Sequence, residues 1–229
     1  MTDTVQITAA DGYRFNAYVA GVSGPGLVIA HEIFAVNASM RAVADWLAGQ
    51  GFRVAVPDLF ARQGNIRELN PALEEDRNTG MALLKGLDED LAVSDILATA
   101  DYLASSADDD ARVGVVGYCM GGKLAYLTAT KAAYPAVSYY GVGIEAVLDR
   151  HTDLMAPVLL HLPVEDSLCL PDSQARIKAA LAGNPLVSIS SHDGVGHAFA
   201  RRKSPAFMAE AAEIADGQTI AFLNKAHAG

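Results

Sequence analysis

Apolar positions along this chain follow three patterns. Continuous apolar runs predict buried strands at residues 26–30, 52–58, 113–116, 136–140, 158–162 and 186–190. Segments of helical pattern predict helices at residues 40–48, 88–105, 122–129, 172–181 and 205–226. Alternating residues at 5–8 and 13–19 predict half-exposed strands joined by a hairpin turn at Ala10-Asp11-Gly12.

Strands that alternate with helices predict an α/β fold with a mostly parallel sheet covered by helices on both faces. The segment 59–87 is less regular, with helical character at 71–84, and three aspartates at 108–110 predict a solvated turn. No repeat, low-complexity tract or linker interrupts the pattern. The length of 229 residues suits a single domain, so we expect one domain over 1–229.

One junction between a predicted strand and a predicted helix carries a reactive side chain. It reads Gly117-Tyr118-Cys119-Met120-Gly121. A nucleophile at a sharp turn between two glycines is typical of the nucleophile elbow of an α/β-hydrolase, here with cysteine in place of the usual serine. The competing interpretation is an inert buried thiol.

A thiol nucleophile needs a base, and the base needs an orienting acid. His197 lies in a glycine-rich loop after the last predicted strand, and Asp166 follows the strand that ends at Leu162. The chain order Cys, Asp, His, with each residue on a loop after a strand, is that of α/β-hydrolases. Glu165 competes with Asp166 for the acidic role, and a surface position is the alternative for His197.

The remaining candidates have weaker support. His161 lies within a predicted strand, where a hydrogen-bonded core histidine is the ordinary case. His31, His192 and His227 are interpreted as structural or exposed, and Cys169 as a plain thiol. The stretch 141–146 (GVGIEA) matches a dinucleotide-binding fingerprint but lies in mid-chain before only a short helical stretch, so we do not expect nucleotide binding.

Composition narrows the partners. The net charge of −10 argues against nucleic acid, and no apolar run approaches the roughly 20 residues of a membrane span. The first residues lack the pattern of a signal peptide, and only two cysteines are present, which predicts free thiols in a cytoplasmic protein. We expect a monomer without metal or cofactor that acts on a small molecule.

Four stretches together resemble the dienelactone hydrolase family of α/β-hydrolases. They are residues 31–37 (HEIFAVN), 114–122 (GVVGYCMGG), 139–143 (YYGVG) and 196–201 (GHAFAR). The resemblance extends from about residue 5 to residue 223. It implies the triad Cys119, His197 and Asp166, and it assigns GVG at 141–143 to the family rather than to a nucleotide site.

The resemblance implies further roles that spacing alone does not assign. Glu32 matches a glutamate that contacts the thiol and takes its proton. Arg201 matches an arginine that binds the substrate carboxylate, and Arg77 aligns with a second one by its distance from the elbow. A surface ion pair of Arg77 with Glu74 or Asp76 is the alternative there, and a solvated basic run with Arg202 and Lys203 is the alternative for Arg201.

The implied reaction is hydrolysis of a small carboxylated enol lactone, dienelactone to maleylacetate, through a thioester on Cys119. Backbone N–H groups of Met120 and Ile33 form the expected oxyanion hole. Met81 and Leu84 stand where the best-known relatives have aromatic residues, which predicts a different pocket wall. Ala198 replaces a frequent serine, and His31 stands where some relatives have glutamine.

Two other functions stay open at this point. One is a general carboxylesterase or thioesterase that uses the same triad. The other is a non-catalytic protein that binds a ligand or senses redox state through Cys119.

Overall fold

The computed structural model describes residues 3–64, 68–106 and 111–228. The predicted turn at 108–110 lies outside the described residues. The chain divides into two compact units, Met1–Gly114 and Val115–Gly229, each described by itself. Whether they form the single domain expected from the sequence stays a prediction.

The first unit combines a hairpin with two parallel strands. Strands β1 (Asp3–Thr8) and β2 (Arg14–Ala20) pair antiparallel, β2 pairs antiparallel with β4 (Arg53–Pro57), and β3 (Gly26–Ala30) lies parallel to β4. Their order is β1-β2-β4-β3. Every residue of β3 and β4 is buried, as expected for strands covered on both faces.

The described part of the first unit also contains three α-helices: α1 (Ala38–Gly49), α2 (Glu74–Lys85) and α3 (Glu89–Ser105). Asn37 caps α1 because its side-chain oxygen accepts the N–H groups of Ser39 and Met40, both at 3.1 Å. Asp88 caps α3 in the same way through the N–H of Leu91. The predicted helix at 71–84 begins three residues later, because the chain first turns at Asn70, whose carbonyl accepts the N–H of Leu73.

The second unit is parallel throughout. Strands β5 (Val113–Tyr118), β6 (Ala136–Tyr139), β7 (Val158–Pro163) and β8 (Val187–His192) follow one another in sequence order, with the unit boundary falling inside β5. Helices α4 (Met120–Ala129), α5 (Pro171–Leu181) and α6 (Ala209–Ala228) lie between or after them. The predicted parallel α/β organisation is therefore present here.

The predicted start of the terminal helix is wrong by four residues. Residues 205 and 206 form a turn, residues 207 and 208 are irregular, and α6 begins only at Ala209. Lys203 has a φ of 57°, and Ser204 accepts the N–H of Ala206 through its side chain and that of Phe207 through its carbonyl. This local turn uses the backbone groups that an earlier helical turn would need.

His31 fixes the loop that follows β3. Its buried ring accepts the N–H of Leu59 on Nε2 at 3.0 Å, so Nδ1 carries the proton and donates to the carbonyl of Glu32 at 2.6 Å. Burial lowers the pKa of His31 to about 4, although the bond to Glu32 opposes the shift. The structural role expected for His31 is therefore specific, since the neutral ring holds the backbone of Glu32.

This tautomer predicts an acid-sensitive contribution to stability. The folded-state pKa of about 4 lies below the ordinary 6.5, so the contribution of His31 is complete above pH 6.5 and is lost as the pH falls toward 4. The shift corresponds to a loss on the order of 3 kcal/mol. We expect the free energy of unfolding of His31→Gln to vary less steeply with pH over this range, measured by urea titration. Parallel slopes for variant and parent would contradict the assignment.

Candidate active site

Cys119 occupies a strained position between β5 and α4. Its φ of 56° and ψ of −118° lie outside the regions that a non-glycine residue prefers. Three bonds hold this backbone: its N–H donates to the carbonyl of Tyr139 at 3.0 Å, and its carbonyl accepts from Gly122 at 3.0 Å and Val142 at 3.2 Å. The junction therefore has the geometry of a nucleophile elbow.

The glycine before the elbow is required sterically. A Cβ at Gly117 would overlap the carbonyl of Gly121. Gly122 is equally restricted, since a Cβ there would lie 2.6 Å from Ser138 Oγ and 2.8 Å from the Cα of Gly141. The first turn of α4 thus packs directly on β6 and on the loop after it, and only glycine permits this approach.

His197 and Asp166 are brought together by the loops after β8 and β7. The imidazole Nδ1 lies 3.0 Å from Oδ2 and 3.1 Å from Oδ1 of Asp166, whose side chain is buried. Asp166 Oδ1 also accepts the N–H groups of Leu168 at 2.8 Å and Cys169 at 3.3 Å. A carboxylate with these donors fixes the proton of His197 on Nδ1 and directs Nε2 away from the acid.

Charge near His197 favours the imidazolium. Burial lowers the pKa of His197, but the hydrogen bonds and charges of Asp166 and Cys119 outweigh it and raise the pKa to about 10. Within the described residues, Nε2 is buried and no hydrogen bond of conventional geometry reaches it, so the contribution of Cys119 to this pKa does not depend on a well-formed bond.

Glu165, the competing acid, does something else. It is exposed, its Oε1 accepts the N–H of Gly194 at 3.1 Å, and its own N–H donates to the carbonyl of Val195 at 3.2 Å. Glu165 thus ties the acid loop to the histidine loop, while Asp166 faces the imidazole.

Two aromatic side chains beside His197 were not identified as site residues from the sequence. Tyr140 packs edge-on against the imidazole with centroids 4.9 Å apart, and Phe199 packs edge-on against Tyr140 at 5.7 Å. Tyr140 also has a positive φ of 41°. The only sequence signal was the YYGVG stretch, which the resemblance singled out as a whole.

The stretch 141–146 serves the elbow. Val142 donates to the Cys119 carbonyl, and the chain then forms two short 3₁₀ turns, Ile144–Ala146 and Leu148–Asp153. A dinucleotide site needs a longer helix with its N-terminus at the glycines. The described geometry has no such helix after Gly143, and the absence of nucleotide binding stays a prediction.

Of the remaining predicted site residues, Met120 and Arg201 lie in the second unit and the other five lie in the first. Glu32 is fully buried and Ile33 half-buried in the loop after β3. Helix α2 carries the remaining three: Arg77 is exposed, Met81 is 55% exposed and Leu84 is half-buried. Gly80 brings α2 against that loop, since a Cβ there would lie 2.5 Å from the carbonyl of Ile33.

The two arginines differ from their alternative interpretations. Arg77 donates through Nη1 to the carbonyl of Pro71 at 2.9 Å, while Asp76 accepts the N–H of Asn70. Arg201 is half-buried, and its neighbour Arg202 pairs with Asp216 at 2.6 Å. Residues 201–203 are therefore not a uniformly solvated basic run.

Both cysteines are free and buried, as a reduced pair of thiols would be. Burial, together with the charges of Glu145 and Asp166, raises the pKa of Cys169 to about 11. Across residues 3–64, 68–106 and 111–228, no three His, Cys, Asp or Glu side chains converge as metal ligands would. None of the helices in the same ranges has the length and apolarity to span a membrane.

The parallel sheet and the strand–elbow–helix junction define the α/β-hydrolase fold class. The family model described as "Dienelactone hydrolase family" matches residues 14–227. The chain belongs to this family.

Curated relatives and a solved structure agree. The carboxymethylenebutenolidase of Pseudomonas putida is 37% identical over 227 residues, covering 97% of this chain and 96% of the relative. Carboxymethylenebutenolidase 1 of Cupriavidus pinatubonensis is 33% identical, covering 97% of each. A crystal structure of a candidate dienelactone hydrolase from Klebsiella pneumoniae has a TM-score of 0.81 at 24% identity and covers 98% of this chain and 99% of its own, which shows likeness of fold. Family and curated relatives indicate a hydrolase that acts on ester or lactone bonds.

Replacement of each neighbouring acid by its amide separates the roles of Asp166 and Glu165. We expect Asp166→Asn to lower the pKa of His197 by more than about one unit, because the charged acceptor of Nδ1–H is lost. Glu165→Gln keeps an oxygen acceptor for Gly194 and is the matched control, with an expected change below about half a unit. NMR titration of the imidazole measures both. Equal shifts in the two variants would reject Asp166 as the partner that sets the pKa.

Proposed function

We propose that this protein hydrolyses a small carboxylated enol lactone, dienelactone to maleylacetate, through a thioester on Cys119. The observation that carries the proposal is the strained thiol beside an imidazole whose Nδ1 is held by buried Asp166. Relatives named carboxymethylenebutenolidase, matched over almost the whole chain, support the substrate class.

The first step is attack of the Cys119 thiolate on the lactone carbonyl. The raised pKa of His197 supports a resting imidazolium that stabilises the thiolate. Glu32, buried in the loop held by His31, is the second candidate to receive the thiol proton when substrate arrives. The N–H groups of Met120, the first residue of α4, and of Ile33 are the proposed donors to the oxyanion.

Collapse of the tetrahedral intermediate breaks the ring C–O bond and expels an enolate. An enolate leaves more readily than an alkoxide or an amine, which suits a thiolate nucleophile that is itself easily expelled. Neutral His197, once it has given its proton to the departing oxygen, activates water against the thioester. Asp166 holds the Nδ1 proton of His197 throughout the reaction, so Nε2 of His197 gives and takes each proton.

Recognition of the carboxylate falls to Arg77 and Arg201 in the proposed complex. Guanidinium groups bind a planar carboxylate with two parallel hydrogen bonds, and they supply local positive charge in a protein whose net charge is −10. Met81 and Leu84, on the same helix as Arg77, form the proposed apolar wall. The protein works in this proposal as a cytoplasmic monomer of one domain, without cofactor, nucleic acid or membrane.

Removal of the arginines tests recognition. We expect Arg77→Ala and Arg201→Ala each to lower kcat/KM for dienelactone by about tenfold or more, since each removes a charged partner of the carboxylate. Hydrolysis of a neutral aryl ester should change by less than about threefold. Loss of lactone absorbance and release of the aryl alcohol are followed spectrophotometrically, with Arg41→Ala as a surface-pair control. Equal losses on both substrates would favour the general esterase.

Trapping of the intermediate tests the nucleophile. Mixing the protein with an activated aryl ester should add one acyl group to Cys119, detected by mass spectrometry, and Cys119→Ser should abolish it. Cys169→Ser is the matched control because that thiol is buried and its raised pKa of about 11 disfavours the thiolate. Absence of any acyl-enzyme, with ligand binding retained in Cys119→Ser, would instead indicate a sensor or binding protein.

A further inference from the structure

A buried polar network lies within the second unit, and the proposed reaction uses none of it. Its five core side chains are between 0% and 6% exposed. They are Tyr139, His161, His192, Asp216 and Thr219. Burial of polar groups costs free energy unless each group has a hydrogen-bond partner, so the network is stable only as a connected whole.

The two histidines join the strands that carry the acid and the base. His161 lies on β7, His192 is the last residue of β8, and their rings are joined by a 3.0 Å hydrogen bond between Nδ1 and Nε2. β7 leads into the loop of Asp166, and β8 leads into the loop of His197. The bond therefore clamps the two strands where the two catalytic loops depart.

Helix α6 and strand β6 are tied to the same point. Thr219 Oγ1 lies 3.0 Å from His161 Nε2 and 2.7 Å from Tyr139 Oη. Tyr139 donates to Asp216 at 2.8 Å, and its backbone carbonyl accepts the N–H of Cys119. The network thus reaches the backbone of the third triad member as well.

The donors and acceptors fix one order of protons. Asp216, paired with Arg202, takes the single proton of Tyr139, so the Thr219 hydroxyl donates to Tyr139. Thr219 then accepts from His161 Nε2–H. Neutral His161 has a bare Nδ1, which accepts from His192 Nε2–H. Burial lowers the pKa of both histidines, which agrees with two neutral rings.

Aromatic contacts connect this network to His197, the proposed base. The ring of His192 lies 5.1 Å from that of Phe199, which packs edge-on against Tyr140, and Tyr140 packs edge-on against His197. We propose that Thr219, through the His161–His192 pair, is a positioning residue that sets the relative placement of the Asp166 and His197 loops. This inference rests on the proposed function, in which these loops carry the acid and the base.

A matched pair of variants tests the inference. Thr219→Val keeps the branched shape and removes the hydroxyl, whereas Thr219→Ser keeps the hydroxyl. For an activated aryl ester, we expect the valine variant to lose about tenfold in kcat with KM within about twofold, and the serine variant to recover most of the rate. A merely structural residue would lower the melting temperature of the valine variant and leave kcat unchanged.

A spectroscopic measurement on the resting protein needs no substrate. The His197 Nδ1–H proton, bonded to Asp166, should give a downfield ¹H signal that shifts or broadens in Thr219→Val and returns in Thr219→Ser. Unchanged signal and unchanged kcat in Thr219→Val would overturn the inference. If the parent protein fails to open dienelactone, the proposed function fails, while this comparison still decides the role of Thr219.

A second variant covers the case in which Thr219→Val does not fold. Tyr139→Phe removes one hydroxyl and preserves the ring packing. The Thr219 hydroxyl then loses its acceptor and can donate to His161 Nε2, so we expect ¹⁵N shifts to report changed tautomers of His161 and His192. Unaltered tautomers together with parental kcat would overturn the inference.

Discussion

The backbone of Cys119 holds a conformation that its side chain disfavours, and the geometry of the elbow follows from that constraint. Strain of this kind costs on the order of 1–3 kcal/mol and persists only where surrounding bonds determine it. Here the carbonyl of Tyr139 and the N–H groups of Gly122 and Val142 supply those bonds. Because Tyr139 and Val142 lie on β6 and the loop after it, the shape of that loop and the position of the thiol depend on each other.

Electrostatics then separates the roles of two acids that adjoin in sequence. Asp166 is buried and accepts two backbone N–H groups besides the imidazole, so it acts on His197 where solvent screening is weak. Glu165 is exposed and acts through one bond to Gly194. Two adjacent acids therefore have different contacts: Asp166 faces the imidazole of His197, and Glu165 links its own loop to the loop of Gly194.

Features that depend on local sequence patterns could be predicted from the sequence alone. The elbow, Asp166 and His197 follow from strand ends and turns, and buried β3 and β4 follow from continuous apolar runs. Contacts between distant segments could not be found in this way: Thr219 meets His161 across 58 positions and Tyr139 across 80. Likewise, nothing local to Arg202 indicates its pairing with Asp216, and the turn at Lys203 and Ser204 delays α6 against a helical pattern.

The distribution of arginine partners bears on how an acidic protein attracts an anion. Several guanidiniums are held by carboxylates: Arg62 by Asp11 and Asp95, Arg202 by Asp216, and Arg150 by Asp153. Arg77 instead donates to the carbonyl of Pro71, and within residues 3–64, 68–106 and 111–228 it forms no ion pair. A carbonyl orients the group without neutralising it. This contact is compatible with the anion-binding role proposed for Arg77 in a protein of net charge −10.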